Sequence, residues 1–198
     1  ISNFNDSIVS HREIPIFIFF ISLWNIINNK KIYVYLIIAG SLSCLSLIWS
    51  LDRGIFLNML LIILLIFFIF NKNYKYFAIL ILSIFLAWII VYIFFGREEF
   101  LNFVSNSIWI FSNIENIYGL IHPTPFGNQM DSSRSGKNII ILIITSLLSI
   151  YFGFSKKSKL ENSNKILLIF FFIISVLSYK TALGRSDGPH LKTAMFFS

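Results

Sequence analysis

The sequence predicts an all-α fold: a polytopic transmembrane helix bundle of about six spans, with one further helix lying along its outer face. Three observations carry this. Hydrophobic residues make up 57% of the 198 positions and aromatics 18%, and the mean hydropathy of +0.79 lies well above that of an ordinary soluble domain. Runs such as Ile55 to Phe70 and Phe77 to Phe95 are apolar almost without interruption, and about 20 residues at roughly 1.5 Å each cross the hydrocarbon of a bilayer. Although β-branched residues abound, no alternation of period two appears, and lipid admits only helices or closed barrels.

In chain order the spans are Ile14 to Asn28, Ile32 to Ser50, Ile55 to Phe70, Tyr76 to Phe95, Ile139 to Phe154 and Ile166 to Ala182. The first is short. Pro15 suits its first turn, and the charged group His11-Arg12-Glu13 stops it extending backwards. The second and third are parted only by the turn Trp49-Ser50-Leu51-Asp52-Arg53-Gly54. Between the fourth and fifth, Leu101, Val104, Ile108 and Phe111 recur at helical spacing with Asn102, Ser105 and Asn106 among them, which predicts a helix along the membrane interface. Glu98 and Glu99 suit its N-terminal end. No basic-then-apolar leader with a small-residue cleavage site opens the chain. The start at Ile1 and the apolar run Ala194 to Phe197 predict a single transmembrane domain over residues 1–198 that is a fragment of a longer polytopic protein.

Loop charge orients the bundle. Lys30 and Lys31, Lys72 and Lys75, and Lys156, Lys157, Lys159 and Lys165 fall on one side by alternation, and such short basic loops are cytoplasmic. The expected location is the inner, plasma membrane of a bacterium, as a multi-pass protein. The net charge of +7 then reflects lysines set against anionic lipid, and no basic stripe with stacking aromatics points to nucleic acid as a partner.

Every unusual polar motif lands on the opposite, outer face. Asp52 either caps a helix beginning near Gly54 while Arg53 snorkels to the headgroups, or the two form a carboxylate and an anion-binding group at the water boundary. His122, in the turn-rich stretch Tyr118 to Gly127, either holds a turn or contacts a substrate head group. Ser132-Ser133-Arg134-Ser135-Gly136-Lys137 ends like a phosphate loop, but no strand precedes it and the first glycine is missing, so it reads as the start of a helix with Arg134 and Lys137 at the interface. The densest cluster is Gly184-Arg185-Ser186-Asp187-Gly188-Pro189-His190, flanked by Lys180 and Lys192. A solvated cap explains its glycines and proline. A functional site explains better why an acid, an imidazole and several cations gather at the membrane edge.

Other constellations are missing from the sequence. Cys44 is the one cysteine and lies inside a span, no histidine pair has metal-ligand spacing, and Asp, Glu and Arg are absent from the central turns of the spans. That argues against a disulfide framework and against ion transport.

Asp-Arg-Gly after one span, an outer loop with an interfacial helix, and Arg-x-Asp-x-x-His after a later span together resemble the polytopic glycosyltransferases of the GT-C type. That resemblance implies a sugar taken from a polyprenyl-phosphate-linked donor at the outer face for transfer to an envelope glycan or lipid acceptor. It also implies acidic residues as base or metal ligands and basic residues on phosphate. The family's usual catalytic acid lies in a first outer loop, which would precede Ile1. The O-antigen polymerase and ligase group is similar in using outer arginines and a histidine, for which Arg53 and His190 stand here, and a non-enzymatic transport or scaffold subunit is the third reading. The candidate catalytic residues are Asp187, Asp52 and His190, and the candidate substrate-binding residues are Arg185, Arg53, Lys180 and His122. Guanidinium binds phosphate oxygens as a fork, while a carboxylate or an imidazole takes the acceptor proton. The cofactor is left open, since two scattered acids are too few to specify a divalent metal. The expected partners are the lipid-linked donor and membrane lipids.

Overall fold

The computed structural model describes residues 11–113, 126–128, 132–154 and 160–183. Among them are seven α-helices: α1 (Ile14–Ile27), α2 (Ile32–Trp49), α3 (Leu51–Phe70), α4 (Tyr74–Phe95), α5 (Arg97–Ser112), α6 (Ser132–Phe154) and α7 (Asn162–Leu183). Five of them, α2, α3, α4, α6 and α7, hold segments long and apolar enough to cross a membrane, and the chain is a multi-pass membrane protein. The 14 residues of α1 rise about 21 Å, short of the roughly 30 Å of hydrocarbon. The chain divides into two compact units that meet between Ser112 and Asn113.

In the first unit α2 is the central helix, packed against α1, α3 and α4. Its small residues explain why. In lipid the hydrophobic effect does not hold helices together, so close backbone approach must. Ala39, Gly40, Ser43, Cys44 and Ser46 are buried on α2. A Cβ at Gly40 would sit 2.5 Å from Ser83 Cβ, and one at Gly54 would sit 2.5 Å from Leu47 Cα. Around these contacts Ile16, Phe19 and Leu23 of α1, Leu57, Leu60 and Leu64 of α3, and Leu80 of α4 are fully buried. Phe85, Ile90, Ile93 and Phe94 of α4 face outward, as lipid-facing side chains must.

The links sort by end. Asn29 and Lys31, at φ 56 and 44, turn the chain between α1 and α2, and Lys72, at φ 56, does so between α3 and α4. Lys75 Nζ lies 5.0 Å over the Tyr33 ring, and Tyr33 meets Tyr76 edge-on at 6.1 Å, so these lysine-bearing links share one end of the bundle. At the other end Ser50 alone joins α2 to α3, its backbone extended at φ −161, ψ 111. There Trp49 Nε1 donates to the His11 carbonyl at 2.9 Å, tying the start of α1 to that end.

α3, α4, α6 and α7 start ahead of the apolar runs that mark their spans. The helix expected from Ile55, with Asp52 capping it near Gly54, begins at Leu51, because the Gly54 N–H closes the first turn on the Ser50 carbonyl at 2.7 Å. Asp52 and Arg53 are thus first-turn residues. α6 begins at Ser132, ahead of the apolar run from Ile139, so the stretch that ends in Gly136-Lys137 is the start of a helix, as its sequence reads. The interfacial helix stands where expected, as α5, with Glu98 and Glu99 in its first turn and no residue fully buried. Phe100 anchors it edge-on to Trp88 and Tyr92 of α4, at 6.0 and 5.3 Å.

In the second unit α6 packs against α7. Gly153 admits the Ile169 side chain, which a Cβ there would meet at 3.3 Å. Phe170 and Ile174 are buried, together with Ser149, Ser175 and Ser178.

Candidate functional site

The end of the first unit opposite the lysines holds a buried charge cluster. Ser50 sends α3 off at once, so Arg53, in the first helical turn, faces back across the bundle toward the residue ahead of α1. Its Nε lies 2.6 Å from Glu13 Oε1, with the two side chains 8% and 6% exposed. Arg53 therefore does not snorkel to the headgroups; its charge is turned inward. The approach is close but poorly directed: Arg53 Nε and Nη1 and Glu13 Oε2 make no well-aligned hydrogen bond among the described residues. The guanidinium also lies 5.6 Å over the Phe56 ring. Beside it Asp52 is half-buried and accepts a hydrogen bond from Ser50 Oγ at 2.5 Å.

Removing Arg53 would leave the Glu13 carboxylate buried without its counter-charge, at a cost of about 3–5 kcal/mol. Burial pushes the Glu13 carboxyl above its ordinary value, with the Asp52 charge adding to the push, while Arg53 and, less strongly, Arg12 pull it down. The net direction is upward, which favours a carboxyl that takes up a proton readily.

A polar ladder supports the cluster from below. Asn58 Nδ2 donates to the Gly54 carbonyl at 2.8 Å and to the Ser43 carbonyl at 2.9 Å. Ser43 Oγ donates to Asn58 Oδ1 at 2.6 Å and accepts from Trp88 Nε1 at 3.3 Å. These bonds join α2, α3 and α4, and Trp88 carries the connection on to Phe100 of α5.

Of the residues singled out from sequence, the structure brings Asp52 and Arg53 together at this end. Asp187, His190, Arg185 and His122 lie outside the described residues, and Lys180 falls on α7 with its side chain outside them as well. Sequence reasoning missed two participants. Glu13 was read only as a stop to the first span; the available signal was that alternation puts it on the same membrane face as Arg53. Asn58 is the polar residue of an otherwise apolar run, one turn past Gly54.

The cluster does not fit a divalent metal. It offers two carboxylates, one with a guanidinium at 2.6 Å, and a cation would need that approach for itself. Among the described residues no three His, Cys, Asp or Glu side chains converge. A half-open hollow between α6 and α7, lined by Ser149, Ile150, Ile169, Phe172 and Ile173, carries no charged group. Compared with known proteins, the chain matches no family profile, no curated sequence and no solved structure.

Proposed function

We propose that this chain is part of a membrane-embedded glycosyltransferase that moves a sugar from a polyprenyl-phosphate-linked donor to an envelope glycan or lipid acceptor at the outer membrane face. The observation that carries the reading is Arg53: a guanidinium turned inward at the head of a span, with Nε and Nη1 lacking a well-aligned hydrogen bond among the described residues and two carboxylates at hand. An arginine placed so suits a phosphate at the water boundary, because its planar fork matches phosphate oxygens and stays charged at any physiological pH. In the transfer, the bond between the sugar's anomeric carbon and the carrier phosphate oxygen breaks, and the acceptor oxygen bonds to that carbon. The electron pair leaves with the phosphate, whose charge Arg53 neutralises. The acceptor proton passes to a carboxylate, with Asp52 the candidate within the cluster. Asp187, His190, Arg185, Lys180 and His122 remain candidates from the sequence.

A second reading, transfer of a whole lipid-linked glycan as in the O-antigen polymerase and ligase group, draws on the same arginine heading α3. The two share the phosphate and differ in the glycan moved. A test takes the full-length protein in liposomes, supplies polyprenyl-phosphate-linked sugars and lipid-linked oligosaccharides in parallel, and follows products by mass spectrometry. Transfer from the first group supports the glycosyltransferase, and transfer from the second alone supports the polymerase or ligase. Neither transfer nor binding, across several sugars, leaves a transport or scaffold subunit.

A further inference from the structure

Arg53 is balanced by its own chain, and that balance is incomplete. Glu13 Oε1 approaches one edge of the guanidinium at 2.6 Å, while Nη1 and Glu13 Oε2 find no hydrogen-bond partner among the described residues. A guanidinium saturates best against a forked acceptor that takes two N–H groups at once, which this carboxylate does not do.

We propose that Glu13 is a displaceable internal counter-ion: a phosphodiester arriving from the membrane boundary takes its place against Arg53, and Glu13 gives up the contact by accepting a proton from water. The inference rests on the reading that Arg53 meets the carrier phosphate, and it names the residue that sets the affinity. Charge counting supports it. One guanidinium faces Glu13 and Asp52, already one negative charge in excess, so a phosphodiester would double that excess unless Glu13 is neutralised. Glu13 is the member able to yield, since its side chain can turn away while its carbonyl goes on capping α1 through the Phe17 N–H, whereas Asp52 is held by Ser50 Oγ in the first turn of α3. The charged groups facing it are Asp52 and Arg53 from α3, and Arg12, beside His11, from its own segment; α1 and α2 contribute none. In the unliganded protein the same carboxylate keeps Arg53 from standing as an uncompensated buried charge.

The test measures binding of a polyprenyl methyl phosphodiester, whose single charge is constant over the working pH range, to the full-length protein in lipid nanodiscs. Glu13→Gln should bind it about tenfold or more tightly than the wild type, because the guanidinium then faces one carboxylate, Asp52, in place of two. With Glu13 present, affinity should rise as pH falls through the carboxyl's elevated titration range. Glu13→Gln should be flat there, both measured in a His11→Gln background that removes the imidazole. The paired variant Glu13→Gln with Arg53→Met, which removes both charges and so avoids a lone buried ion, should not bind. Equal or weaker binding by Glu13→Gln, with binding still lost in the paired variant, overturns the counter-ion role and leaves the phosphate reading intact. Retained binding in the paired variant overturns both. Should Glu13→Gln fail to fold, a pH-independent affinity in the His11→Gln protein alone overturns the proposal.

Discussion

Asn58 and Ser43 face each other across α3 and α2 and exchange two hydrogen bonds, Ser43 Oγ to Asn58 Oδ1 at 2.6 Å and Asn58 Nδ2 to the Ser43 carbonyl at 2.9 Å. The same Nδ2 reaches the Gly54 carbonyl at 2.8 Å, so the pair fixes the turn that carries Arg53. A charge buried at the head of a span is useful only if its backbone does not drift. This pair holds that backbone.

Asn58→Leu removes both bonds while keeping the volume, and should destabilise the bundle by about 1–2 kcal/mol, the range of interhelical hydrogen bonds in lipid. Thermal unfolding in detergent measures it. The emission of Trp88, whose Nε1 bonds Ser43 Oγ, should change in the same variant. An unchanged melting temperature would make the ladder incidental.

Gly54→Ala should be worse tolerated than Gly153→Ala. At Gly54 the new Cβ meets the Leu47 backbone, Cα at 2.5 Å and N at 2.6 Å, and backbone cannot step aside without parting α2 from α3. At Gly153 the nearest atom belongs to the flexible Ile169 side chain, at 3.3 Å. The expected costs are about 1–3 kcal/mol for the first and about 1 or less for the second, read from parallel melts.

The spans were legible because lipid leaves the sequence little freedom: a long apolar run between polar links has one stable form, and α2 to α4 follow those runs closely. The start of α3 was not, since Leu51-Asp52-Arg53-Gly54 is polar and glycine-bearing like a loop. It is helical because Ser50 alone makes the turn and Gly54 allows the backbones to touch. Arg53 was legible as a candidate from its place beside a span. Its partner Glu13 was not, because pairing between separate spans leaves no periodicity, and the one clue was their shared face. Asn58 and Ser43 were illegible for the same reason, since a span tolerates small polar residues whether or not they bond.

Stability should depend on pH through Glu13. Its carboxyl is raised in the folded protein by burial, so the fold binds that proton more tightly than the unfolded chain does. The associated stabilisation is full below the ordinary glutamate range and is lost as pH rises through the elevated folded value. Melts of the wild type should therefore fall over that window relative to Glu13→Gln, measured in the His11→Gln background. Parallel curves would contradict the raised carboxyl.

Orientation follows from the two ends of the bundle. In a Cys44→Ser background, Glu98→Cys at the start of α5 should react with an impermeant thiol reagent added outside intact cells. Asn73→Cys, on the lysine-bearing end, should not. Both positions are exposed. Labelling of Asn73→Cys alone would place the Arg53 cluster in the cytoplasm.

Photo-crosslinking in liposomes tests most directly whether the Glu13–Arg53 cluster receives the phosphate of a lipid carrier, using a polyprenyl phosphate with a diazirine beside the phosphate and mapping of the modified peptides. Label is expected on residues around Glu13, Arg53 and Phe56, competed by unlabelled polyprenyl phosphate and much reduced with the corresponding polyprenol, which lacks the phosphate. Label spread along the lipid-facing side of α4, equal for phosphate and alcohol, would contradict it.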